Sequence, residues 1–206
     1  MERRRVLAVA VLLVEMFLLS PAAVAQQDLP PGSLAIKVLV EKRVLQLPDG
    51  PLFWRIENHP TLAQAQAATG LWGLAAESGG KVWLFRLGPA SGASSGGRMV
   101  AEVGPVPRVA APEYLLRINE PSGSPGSTTI VHTHPGSEGI YVLQGQLCFR
   151  TPQGVIRVPA GRSDAGPQPY VPSQVSSCGS TDLRGFVMFV VDATKPFSSP
   201  ATFELH

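Results

Sequence analysis

The sequence predicts an all-β chain closed into a barrel or jelly roll, with one short helix. Three observations carry this. Most apolar stretches are short and alternate with period two, as strands do. Twenty prolines and twenty-one glycines punctuate them at turn spacing. Only one segment reads as a convincing helix, and closing a sheet of many short strands removes its exposed edges.

The elements follow in order. Arg3, Arg4 and Arg5 precede an apolar run, Val6 to Val14, and Ala23-Val24-Ala25 is a small-residue cleavage pattern. Residues 1–25 are therefore expected to be a signal peptide, with the chain secreted or periplasmic. Glu15 interrupts the stretch, which argues against a lasting membrane span. Cleavage would remove three arginines and two glutamates and leave a net charge of about +1, too little to draw nucleic acid or an anionic membrane. Leu34 to Leu47 reads as one or two strands whose alternation loses phase at Val44-Leu45. Pro48 to Pro51 is a turn, and LFWRIEN the next strand. The helix is expected over residues 60–68, with Pro60 at its first position and Gly70 after its end. Leu71–Glu77 and Lys81–Leu87 flank Ser78-Gly79-Gly80 as a hairpin. A Gly/Ser loop, Gly88 to Arg98, precedes the strand MVAEV.

Beyond residue 110 further strands are expected at Tyr114–Ile118, Thr128–His134, Gly139–Leu143, Gln146–Arg150, Val155–Val158, Gln168–Val171 and Leu183–Val191. The tail, residues 193–206, reads as a surface loop. Trp54, Trp72 and Trp83 are expected to pack the core. Cys148 and Cys178 are the only cysteines, and whether they pair is left open by the sequence.

One stretch carries chemistry. In GSTTIVHTHPGSEGIYVLQG, from Gly126 to Gly145, His132 and His134 stand at i and i+2 and so share a strand face. His-Pro-Gly-Ser then turns the chain, and Glu138 opens the returning strand. Two imidazoles and a carboxylate aimed at one point form the ligand set of a divalent transition metal. Tyr141 is expected to point away from Glu138's face. Arg117 can face inward as a clamp for a carboxylate or lie in solvent, and His59 is expected at the helix start.

The glycine frame adds a resemblance. Gly126, five residues, His132-Thr-His134, three residues, Glu138, six residues and Gly145 are similar to the first motif of the cupin superfamily at every defined position. The resemblance implies a cupin jelly-roll barrel over residues 111–192, after a β extension over 26–110. That extension can add strands to the barrel or to the sheet of a homodimer partner, or be a degenerate second cupin; one domain with an N-terminal β extension is the expectation. The second cupin motif is degenerate. Its better register runs from Gly166 to Pro172 and puts Ser177 where the family has a metal-binding histidine; the other puts Asp164 there. The resemblance thus implies a 2-His-1-Glu centre of His132, His134 and Glu138 for Fe, Mn, Ni or Zn, with a small molecule as ligand. It allows an oxygenase or isomerase, or a non-catalytic binding or sensor module of the cell envelope.

Overall fold

Strand parity sets what each face of these sheets covers. The computed structural model describes residues 32–203; the expected signal peptide lies outside the described residues. The N-terminal part contains β1 (Ala35–Val44), β2 (Leu52–His59), α1 (Leu62–Ala67), β3 (Gly73–Ser78), β4 (Lys81–Gly88) and β5 (Arg98–Val106). A register shift between Val38 and Val40 inserts an extra residue in β1. Such a bulge reverses side-chain parity, so the phase lost in the sequence is lost in the strand, though earlier than Val44. The helix is shorter than expected. Thr61 caps it, its hydroxyl accepting from the Gln64 N–H, so Pro60 precedes the cap instead of opening the first turn.

The C-terminal part contains β6 (Tyr114–Gly123), β7 (His132–Thr133), β8 (Gly136–Gln144), β9 (Gln146–Thr151), β10 (Gly154–Pro159), β11 (Ser163–Asp164), β12 (Gln174–Ser177), β13 (Leu183–Asp192) and β14 (Ser199–Pro200). Three departures from the sequence reading occur here. The strand expected over Thr128–His134 is regular only at β7, the rest being held by single bridges such as Thr128 to Ser176. Gln168–Val171 is not a strand; the pairing segment is β12, beyond Pro172. The tail is not a loose loop, because β14 pairs with β7, joining Ser199 to Thr133 and Pro200 to His132.

The strands stack as three layers with two cores. The central sheet runs β1-β6-β13-β8-β11, a second runs β10-β9-β12, and the N-terminal one runs β3-β4-β2-β5. On β13, Phe186, Met188 and Val190 face the N-terminal sheet and meet Trp54, Trp83 and Phe85. Val187, Phe189 and Val191 face the other way, into the barrel with Leu147, Phe149 and Val175. Each large side chain fully buried this way stabilises by about 1.5–3 kcal/mol. The N-terminal segment thus supplies one edge strand, β1, and a cover for the outer face of the central sheet. Trp54 and Trp83 lie in that outer core, while Trp72 is half-buried against it and donates Nε1–H to the Gln46 carbonyl.

Candidate metal centre

Two short backbone devices fix the stretch. Pro135 and Gly136 turn β7 into β8, and Gly145, at φ +72°, turns β8 into β9. A Cβ at Gly145 would lie 2.6 Å from the Asp182 carbonyl oxygen, so only glycine fits that turn. Strand parity does the rest. His132 and His134 lie side by side with ring centroids 4.8 Å apart, edge to face. Glu138 pairs with Phe189 across β8 and β13 and turns into the barrel, while Tyr141 packs against the outer core.

Both imidazoles are oriented by carbonyls. His132 Nδ1 lies 2.8 Å from the Ile130 carbonyl and His134 Nδ1 lies 2.7 Å from the Phe197 carbonyl. A carbonyl only accepts, so each Nδ1 carries the hydrogen, and a neutral ring held this way presents the lone pair of Nε2. Burial holds His134 well below its ordinary value, at about 4, helped by the nearby charges of His132 and Arg117. Burial pushes Glu138 the other way, up to about 8. Without a cation, both groups are therefore neutral at pH 7.

The three predicted residues share the wall of one cavity of about 340 Å³. They are not drawn onto a single point. Among the described residues no three His, Cys, Asp or Glu side chains are gathered closely enough to hold an ion as they stand. A Glu138 carboxyl kept neutral by burial has no charge with which to draw the imidazoles in. The donor chemistry nevertheless fits a divalent cation: two Nε2 lone pairs, fixed from behind, and one carboxyl that ionises when a positive charge arrives.

Neither candidate for the missing third histidine reaches the cavity. Ser177 is fully buried beside Ser127, its N–H donating to the Ser127 carbonyl, and its hydroxyl meets no partner. Asp164 accepts from the Gly166 N–H and closes a turn. Gly166 itself matters, because a Cβ there would sit 3.1 Å from Glu138 Cβ; the bare backbone lets this loop lie against the glutamate. Arg117 does lie on the inward parity of β6, but its guanidinium pairs with Glu41 at 2.5 Å and stacks on Phe197 at 4.1 Å. His59 belongs to β2, where its Nε2 lies 2.9 Å from the Ser95 hydroxyl.

The rest of the wall carries no signal in the sequence. Asn119 and Thr129 add polar groups; Ile36, Val175, Val187, Phe189, Phe197 and Pro200 supply an apolar lining. Phe197 and Pro200 come from the tail, which crosses the site and sets the tilt of His134. Cys148 and Cys178, left open above, form a disulfide between β9 and the end of β12.

Structural comparison sets the chain beside proteins described as cupins or double-stranded β-helix proteins. It is similar to a cupin-like protein from Thermotoga maritima, at 15% identity over 42% of this chain and 64% of that one, with a TM-score of 0.38. It is similar to the polyketide cyclase RemF from Streptomyces resistomycificus, at 21% identity over 43% and 62%, with a TM-score of 0.36. A Klebsiella pneumoniae protein with a double-stranded β-helix domain aligns at 16% identity over 43% and 76%, with a TM-score of 0.37. The chain spans just under two thirds of the length of the first two. No family model matches the chain, and no curated protein matches its sequence.

Proposed function

We propose that this chain is an exported cupin-type barrel that binds a small molecule at a divalent transition metal held by His132, His134 and Glu138. The observation that carries the reading is the pair of Nδ1–H···O=C bonds, from His132 to Ile130 and from His134 to Phe197. Metal-binding histidines are held this way, because the second nitrogen's bond fixes the tautomer and aims the first. Glu138 supports it, since a buried carboxyl kept neutral by desolvation gains most from a neighbouring cation. When bound there, Fe, Mn, Ni or Zn would polarise a ligand atom at an open coordination position. The chain's own part is to orient the two imidazoles, supply the carboxylate and exclude water with Val175, Phe189 and Phe197. An oxygenase or isomerase-type activity follows from those open positions.

A specific observation favours the second reading, a non-catalytic binding or sensor module. Among the described residues lining the cavity, His132, His134 and Glu138 are the only titratable ones, so no separate acid or base stands beside the metal. Export rests on the N-terminal pattern, and the Cys148–Cys178 bond supports it, because such bonds persist in oxidising compartments. The test is loading with each of the four ions, followed by a screen of small neutral compounds for thermal stabilisation and for product. Stabilisation with product supports the enzyme, and stabilisation without product the binding module. Absence of any metal-dependent change rejects the metal centre, and absence of stabilisation by every compound, with or without metal, rejects the binding module.

A further inference from the structure

We infer that Asn119 is the polar anchor for the bound molecule, and that this molecule is a neutral, mainly apolar compound of about one ring bearing a hydroxyl group. This rests on the proposed role of the cavity as a small-molecule site, but not on the metal.

Asn119 lies on β6 opposite Val187 of β13, and both side chains line the cavity. It is 4% exposed, and its carboxamide oxygen meets no donor. A buried acceptor left unpaired lowers stability, so an apolar residue would fill this wall better if filling it were the only demand. Asn119 nonetheless lines the cavity, and because the χ2 torsion of asparagine is soft, a ligand donor can draw the oxygen towards it. An acceptor in that place selects a ligand that presents an O–H or N–H.

The rest of the wall sets the class. Ile36, Val175, Phe189 and Pro200 offer only apolar surface, and among the described residues no lysine or arginine lines the cavity. Arg117, which shares Asn119's strand parity, is committed to Glu41 and to the ring of Phe197. An anionic group on the ligand would find no lysine or arginine among the described residues of the wall. At about 340 Å³ the cavity lies at the small end of the roughly 300–1,000 Å³ usual for ligand sites, which suits one ring.

The test uses chelator-treated protein and a matched set of probes: 4-methylphenol, 4-methylanisole and benzoate, with affinities read by ligand-observed NMR titration. The wild type should bind 4-methylphenol about tenfold more tightly than 4-methylanisole, the loss expected for one hydrogen bond. Benzoate should be weaker than both. Asn119→Leu, of similar volume, should bind the two neutral probes equally and unfold no earlier than the wild type. His134→Ala should keep the preference, which separates this anchor from the metal site. If Asn119→Leu does not fold, Asn119→Ala with its circular dichroism checked replaces it. Equal affinity for the two neutral probes in the wild type, tighter binding of benzoate, no binding of any probe, or a preference that survives in the Asn119 variant would overturn the inference. Failure of metal loading alone would leave it standing.

Discussion

Glu138→Gln in metal-free protein exposes the electrostatics of the site directly. Burial raises Glu138 from 4.5 to about 8, with desolvation the cause. Between those values the folded chain holds a proton that the unfolded chain releases. The contribution is therefore full below pH 4.5 and is lost as pH rises towards 8. At pH 7 the gap amounts to roughly 2.5 pH units at 1.36 kcal/mol each, or about 3 kcal/mol against folding. Glutamine does not titrate. With chelator present, Glu138→Gln should be more stable than the wild type by about 3 kcal/mol at pH 7, and equal to it near pH 4. That corresponds to a rise in Tm of roughly 6–12 °C for a chain of this size. His134, held near 4, contributes the same acid loss to both proteins and cancels from the difference. Chemical denaturation between pH 4 and 8 measures the gap. Saturating metal should reverse the order, because only the carboxylate is a strong ligand. A variant no more stable than the wild type in chelator at pH 7 would overturn the neutral, desolvated carboxyl and show that Glu138 is already ionised and compensated.

Two further outcomes follow. Replacing Cys148 and Cys178 together by alanine opens a bond that joins positions 30 residues apart. The loss should be about 3–4 kcal/mol by loop-closure entropy, read by denaturation of oxidised protein, with no further loss on adding a reductant. Ending the chain at Pro196 removes the Phe197 carbonyl behind His134. Metal affinity should fall roughly 10–100-fold in calorimetric titration, the usual effect of losing such a partner; unchanged affinity would assign the tail a packing role only.

Local periodicity made much of this site legible. The i, i+2 spacing of His132 and His134 was enough to put their rings on one face, because a strand allows nothing else. Tyr141 was placed on the opposite side of the sheet by the same count. The run Phe186–Val191 is apolar at every position, as in a strand covered on both faces. It shows that something must cover the outer face but not that the N-terminal sheet does so. What stayed hidden depends on contacts distant in sequence. Nothing in KPFSSPATFELH alternates, yet Phe197 closes the cavity because β14 pairs with β7. Asn119 looks like any strand asparagine until its neighbours are known to lack a donor. Motif spacing points Ser177 towards the metal position, whereas its side chain is not part of the cavity wall, which β12 supplies through Val175, and its backbone N–H donates to the Ser127 carbonyl. The bulge after Val38 likewise leaves only a broken phase in the sequence.

The most direct measurement is the metal content of the chain without its first 25 residues, equilibrated in turn with Fe(II), Mn(II), Ni(II) and Zn(II) and then desalted. A metal centre at these residues predicts about one ion per chain for the wild type with at least one of these metals. His134→Ala should lose it, while Ser177→Ala and Asp164→Ala, whose parent side chains lie off the cavity, should retain it. A chain that stays metal-free with all four ions, or a His134→Ala variant that binds as well as the wild type, would contradict it.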